Sequence, residues 1–170
     1  LQSSLSLRQH VFTLCYIGFA LVQLFVSLFQ HFLFRPQCLA PAFASLEETW
    51  KYVTERVAFG NPLAKYQGVT EPLAEAQTLL EAARLLVYNA ARLKESGRPF
   101  IKEAAMAKLY ASQTAERVAS KCVELLGGVG FTKDFGVEKF YRDAKIGQIY
   151  EGTSNIQLLT IAKHVQAQFK

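Results

Sequence analysis

The sequence predicts an all-α protein, an antiparallel up-down four-helix bundle preceded by a long apolar helix. Apolar residues beyond about residue 45 recur every three or four positions, with almost no period-two alternation. Gly and Pro interrupt that pattern at Gly60-Asn61-Pro62, Gly97 to Pro99 and Gly127 to Gly130, leaving long helices joined by short connections, which makes sequential neighbours antiparallel. With 170 residues, 51% of them hydrophobic and 19% charged, the chain is long enough for one ordinary domain and too apolar for wholesale disorder.

Residues 1–46 are a different material from the rest. They carry only Arg8 and Arg35 as charges, and the first acidic residue is Glu47. A membrane-spanning helix needs about 20 mostly apolar residues, and the uncharged run through 11–34 is long enough for one. Three readings stay open: a membrane contact through residues 11–34, a buried helix of a larger parent fold, and a segment that is no native part of the domain. Gln23, Gln30 and His31 share one helical face and would need partners in lipid. Pro36 and Pro41 are expected to break the helix and form a linker, dividing the chain into an apolar segment, 1–46, and a helical domain, 47–170. A chain that begins with Leu is read as a fragment or a processed piece.

The first bundle helix is expected from Ser45 to Phe59, with Ser45 and Glu48 as a capping box and Leu46, Trp50, Val53 and Val57 as its inner face. The second starts at a Thr70 cap, with Pro72 tolerated in the first turn, and buries Leu73, Ala76, Leu80, Ala83, Val87, Ala90 and Leu93. The third runs from Pro99 to Leu126, about 40 Å at 1.5 Å per residue. Its stripe is Ile101, Ala104, Lys108, Ala111, Ala115, Val118, Cys122 and Leu125. Lys108 is the misfit, its stem expected to snorkel. A short helix at 137–146 and a last one at 153–168 complete the set.

The net charge is +5, but beyond residue 46 the 17 basic and 14 acidic side chains make a mixed surface, so no nucleic-acid partner is expected. Three widely spaced cysteines make no disulfide framework, and no metal site is expected because His10, His31 and His164 lack ligand spacing.

Three constellations could carry chemistry. At the first helix end, Arg56 offers a planar donor fork for phosphate oxygens, Phe59 a stacking face and Gln67 an amide. Taken alone, the group is equally an ordinary C-cap with a dipole-complementing Arg. The Glu124-Leu125-Leu126-Gly127-Gly128 turn lets a ligand approach the backbone, yet it follows a helix rather than a strand, so it is no dinucleotide fingerprint. Taken alone, it too is an ordinary glycine cap. In Tyr150-Glu151-Gly152-Thr153-Ser154-Asn155, a carboxylate precedes a helix N-terminus rich in free N–H groups. An apolar pocket would raise its pKa toward that of a general base, while an exposed turn would leave it ordinary.

The order and spacing of Glu55-Arg56-Val-Ala-Phe59-Gly60, Tyr66-Gln67-Gly68, Glu124-Leu-Leu-Gly-Gly-Val-Gly130, Arg142-Asp-Ala-Lys-Ile146 and Ile149-Tyr-Glu151-Gly-Thr-Ser-Asn-Ile-Gln157 resemble the C-terminal helical domain of the acyl-CoA dehydrogenase family, most of all its short/branched-chain branch. The resemblance implies an FAD-dependent oxidation of short or branched-chain acyl-CoA to trans-2-enoyl-CoA, by α-proton abstraction and β-hydride transfer. It implies Glu151 as the catalytic base and Gly152 against the substrate. Arg56, Phe59, Gln67, Glu124, Leu125, Leu126, Gly127, Gly128, Thr153, Ser154 and Asn155 would contact FAD. It further implies an electron-transfer flavoprotein as acceptor, a homotetramer, the mitochondrial matrix, and roles in fatty acid metabolism and branched-chain amino acid catabolism. Because the family's N-terminal helical domain and middle β-domain are not among these residues, the 170-residue chain is expected to be inactive by itself. The alternative from another class is a membrane-anchored, non-catalytic helical interaction module derived from the enzyme.

Overall fold

The computed structural model describes residues 39–169. They form five helices, α1 (Ala40–Glu55), α2 (Gln67–Glu95), α3 (Ile101–Leu126), α4 (Val137–Ile146) and α5 (Ser154–Gln166). A hairpin of two-residue strands, β1 (Val57–Ala58) and β2 (Asn61–Pro62), follows α1. Single 3-10 turns lie at Leu63–Lys65, Gly127–Phe131 and Ala167–Phe169.

α3 is the hub and packs against α1, α2, α4 and α5. Ala104, Ala105, Ala107, Ala111, Ala115 and Ala119 are all buried in it, and such short side chains let neighbouring helices approach closely on several sides. α2 buries Leu73, Ala76, Leu80, Ala83, Val87 and Ala90, the expected stripe apart from half-buried Leu93. Leu73 and Leu80 are wholly enclosed, so truncating either to Ala should cost about 2–5 kcal/mol.

The direction of packing follows from specific pairs. Arg117 on α3 reaches Glu75 near the start of α2 at 2.5 Å, so these two helices run antiparallel around the short connection at 96–100. Descending α3, Glu116 meets Lys145 at 3.8 Å and Gln148 at 3.4 Å, Lys108 meets Gly152, and the 97–103 turn shares a cleft of about 400 Å³ with His164 and Gln168. The chain from α4 through α5 therefore retraces α3 toward its N-terminus.

Several expectations are corrected. The described residues hold the five helical segments expected beyond residue 45, with the turn between Gly147 and Thr153 separating α4 from α5, but the fifth helix makes the simple four-helix description too narrow. α1 starts at Ala40, with Pro41 in its first turn, where a missing N–H costs nothing. Ser45 is consequently no cap but a buried helix residue. The inner face is Ala42, Ser45, Leu46, Thr49 and Val53, while Trp50 and Val57 are exposed, because α1 ends at Glu55 and its Thr49 face is turned to α3 near Cys122. α2 begins at Gln67, three residues before the expected Thr70 cap, so Pro72 lies beyond the first turn. Ile101 is exposed at the rim of α3, and Leu126 takes the buried place expected of Leu125. The apolar run at 11–34, with any helix or membrane contact there, lies outside the described residues, as do His10 and His31. Among the described residues no helix is long and apolar enough to cross a membrane.

Candidate functional site

The Glu151 turn is built against the middle of α3. Gly147 packs here against α3: a Cβ would meet Ser112 Cβ at an ordinary 3.5 Å and crowd the Ala144 carbonyl oxygen at 3.2 Å. The Ser154 N–H donates to the Gln148 carbonyl at 3.2 Å and closes the loop. Within it Glu151 and Gly152 both have positive φ, +52° and +95°. The Gly152 carbonyl accepts two side-chain donors, Lys108 Nζ at 2.6 Å and Gln157 Nε2 at 3.1 Å. Both donors are 3% exposed.

The left-handed conformation at Glu151 costs of order 1–2 kcal/mol for a residue with a Cβ, so it persists only where its surroundings hold it. Here they hold a carboxylate whose Oε2 is buried without a hydrogen-bond partner. Burial pushes the Glu151 carboxyl above its ordinary pKa, and the nearby Lys108 cation partly opposes that rise. A poorly solvated carboxylate with a bare lone pair is suited to taking a proton from carbon. Thr153 is the N-cap of α5 but makes no side-chain capping bond. Thr153 and Asn155 are exposed and Ser154 is half-buried, so this N-terminus leaves polar groups accessible.

The second group lies elsewhere. α1 ends with the Arg56 N–H bonded to the Tyr52 carbonyl. The chain then turns back through Phe59 (φ +52°) and Gly60 (φ +83°). Two positive φ values in a two-residue loop define the tight turn that matches strand twist. Tyr66 Oη donates to the Ala58 carbonyl at 2.9 Å and braces the hairpin. Arg56 and Gln67 are exposed, and Phe59 is 96% exposed. At the end of α3, Gly127 has φ +65°, and a Cβ on Gly127 or Gly128 would meet nothing within 4 Å. Glu124 is exposed and accepts from Lys121 at 2.6 Å. Leu125 is half-buried and Leu126 buried. Gly130 is the packing glycine, because a Cβ there would collide with the Val123 carbonyl and lie 2.8 Å from Leu126 Cβ.

The Glu75–Arg117 pair marks the register between these segments. Gln67 precedes Glu75 by two turns of α2, which places it level with Glu124 to Gly128 at the far end of α3. Lys108 lies 18 residues back from Leu126, about 27 Å along the helix. The structure thus groups Gln67 with Glu124 to Gly128, and keeps Glu151 to Asn155 some five turns of α3 away. Phe59 and Glu151, one from each sequence-predicted set, are the two non-glycine residues with positive φ among the described residues.

Two residues at the turn stand out against their own helical patterns. Lys108 interrupts an alanine stripe, and it does not snorkel but bonds inside. Gln157 is the buried residue of α5 while Ile156, Leu158 and Leu159 are exposed, an inversion of the usual pattern. No group of three or more potential metal ligands occurs among the described residues.

Residues 30–166 match the family described as acyl-CoA dehydrogenase, C-terminal domain. The chain belongs to the acyl-CoA dehydrogenase family. The mitochondrial short/branched chain specific acyl-CoA dehydrogenase of Rattus norvegicus is 59% identical over 133 residues, covering 78% of this chain and 31% of that protein. The structure of butyryl-CoA dehydrogenase from Megasphaera elsdenii superposes with a TM-score of 0.75 at 43% identity, over 76% of this chain and 34% of that one. A glutaryl-CoA dehydrogenase from Mycobacterium smegmatis, solved in complex with FADH2, gives 0.73 at 32% identity, over 76% and 34%. The chain thus spans about a third of the length of the relatives it matches.

Proposed function

We propose that these residues are the C-terminal helical part of a flavin-dependent acyl-CoA dehydrogenase acting on short or branched-chain acyl-CoA thioesters, with Glu151 as the base. The carrying observation is half-buried Glu151, with its backbone at positive φ and its carboxylate Oε2 enclosed and bare of hydrogen bonds, in a family whose members are named for acyl-CoA oxidation. We read α2 and α3, with α4 and α5 retracing α3, as the up-down core of a four-armed bundle.

The residues fit FAD. Arg56 and the exposed Phe59 ring suit a diphosphate and a flat heterocycle, and the open space over Gly127 and Gly128 admits backbone contact. In the complete enzyme Arg56, Phe59, Gln67 and the Glu124 to Gly128 turn would hold one FAD, and Thr153, Ser154 and Asn155 would line another. The separation of the two groups by about 27 Å along α3 supports a site completed by a second subunit, hence an oligomer, which we take to be the homotetramer. When bound, FAD supplies the acceptor for the substrate β-hydride.

Glu151 takes the α-proton onto its carboxylate. A thioester α-proton is far too weak an acid for an ordinary carboxylate at neutral pH. Desolvation of the base and hydrogen bonds to the substrate carbonyl bring the two closer. Gly152, without a side chain, lets the thioester lie against the turn. Electrons would leave to an electron-transfer flavoprotein, and the mitochondrial relatives point to the matrix.

The 170-residue chain alone is expected to be inactive: with added FAD and butyryl-CoA it should reduce no dye. In the complete dehydrogenase, Glu151→Gln should lower turnover by about 10²- to 10⁴-fold with the flavin spectrum retained. A fully active Glu151→Gln enzyme would refute the assignment.

A further inference from the structure

We propose that Lys108 is a positioning residue for the base: its ammonium, buried within the bundle and bonded to the Gly152 carbonyl, holds the Glu151–Gly152 turn in its left-handed form and aims the carboxylate. This rests on the reading of Glu151 as the base.

Lys108 sits on α3 among Ala104, Ala105, Ala107 and Ala111 and is 3% exposed. A buried ammonium is costly unless its donors are used. Here its Nζ donates across 44 residues to Gly152 at 2.6 Å, a short charge-assisted bond. The acceptor is the carbonyl of the residue following the base, and Glu151 and Gly152 are the consecutive positive-φ pair of the turn. Gln157 donates to the same oxygen at 3.1 Å. Two elements, α3 and α5, therefore clamp one carbonyl, and peptide planarity carries that constraint to the neighbouring residue. The side chain also acts through its charge, since it opposes the rise that burial imposes on the Glu151 carboxyl. Glu116, engaged by Lys145 and Gln148, is two turns further along α3, and Tyr150 adjoins the turn.

Two substitutions in the complete flavoenzyme separate the two effects. Lys108→Met keeps the stem volume and removes both the donor and the charge. Lys108→Gln offers a neutral donor. For Lys108→Met, kcat should fall by about a hundredfold, the scale of a misplacement near 1 Å, with KM for butyryl-CoA changed little and the acid limb of the kcat profile displaced to higher pH. For Lys108→Gln, part of kcat should return while the acid limb stays displaced. Unchanged kcat in both variants overturns the proposal. So does loss of flavin and of cooperative unfolding in both, which would make Lys108 a structural support. Glu151→Gln run beside them keeps the readings distinct. If Glu151→Gln is inactive and Lys108→Met is normal, the base stands and the positioning role falls. If Glu151→Gln is active, the base assignment itself fails.

Discussion

Phe59 and Glu151 share a backbone conformation that side chains seldom adopt, yet their surroundings are opposites. Glu151 is tied into the bundle through its neighbour's carbonyl, which is gripped from α3 and α5. Phe59 rides on a two-residue turn braced by Tyr66, with its ring almost wholly in solvent. One strained residue is half-buried against its own chain, with Oε2 enclosed, and the other faces outward. On the proposed reading, strain at the first serves proton abstraction within this domain. Strain at the second has no partner within the described residues, and it makes sense when a ligand or another chain meets the ring. The same contrast separates Gly152, inside a clamp, from Gly127 and Gly128, with open space above them.

The contrast can be attacked from its open end first. Gly130→Ala forces a methyl group into the Val123 carbonyl and Leu126. It should destabilise the domain by about 1–3 kcal/mol and loosen flavin, as read by thermal melting and flavin fluorescence, without altering proton transfer at Glu151. Phe59→Gly should do the reverse for stability. It relieves the left-handed strain and loses no packing, so melting should show a gain of about 1 kcal/mol. Flavin affinity in the complete enzyme should drop by roughly tenfold or less. A loss of stability there would mean that Phe59 is held by packing rather than strained in solvent.

A subtler effect belongs to the enclosed end. Burial raises the folded-state pKa of Glu151, so its ionised form is penalised by folding at neutral pH. That penalty disappears as pH falls through the raised value toward the ordinary carboxylate range. Glu151→Gln should therefore melt at a higher temperature than the parent near neutral pH, with the gap closing on acidification. Smallest of all, breaking the exposed Arg117–Glu75 pair by Glu75→Gln should cost about 0.2–1 kcal/mol, with no effect on either site.

What could be read in advance divides along physical lines. The α2 stripe was legible because Leu73, Ala76, Leu80, Ala83, Val87 and Ala90 are apolar at strict helical spacing and one face decides their burial. α1 was misread because its inner face uses Ser45 and Thr49, polar residues that pass as caps, with the Thr49 hydroxyl donating to the Ser45 carbonyl at 2.8 Å. The hairpin after α1 was invisible because a two-residue strand has no period, and Phe59 gives no hint of a positive φ. Glu151 was found from its neighbours in the chain, but its clamp was not. Lys108 and Gln157 reach Gly152 only once α3 and α5 are packed, and a lysine in an alanine stripe reads locally as a surface residue. The family motifs name the candidate residues of the two groups, and the register of α2 on α3 sets them about 27 Å apart along α3.

The central claim is that the Glu151 carboxylate removes the thioester α-proton. Deuterium exchange from D2O into the α-carbon of butyryl-CoA, followed by mass spectrometry in the complete enzyme under anaerobic conditions, tests it directly. The parent should incorporate label and Glu151→Gln, with its flavin in place, should not. Exchange at the parental rate in Glu151→Gln would contradict the claim.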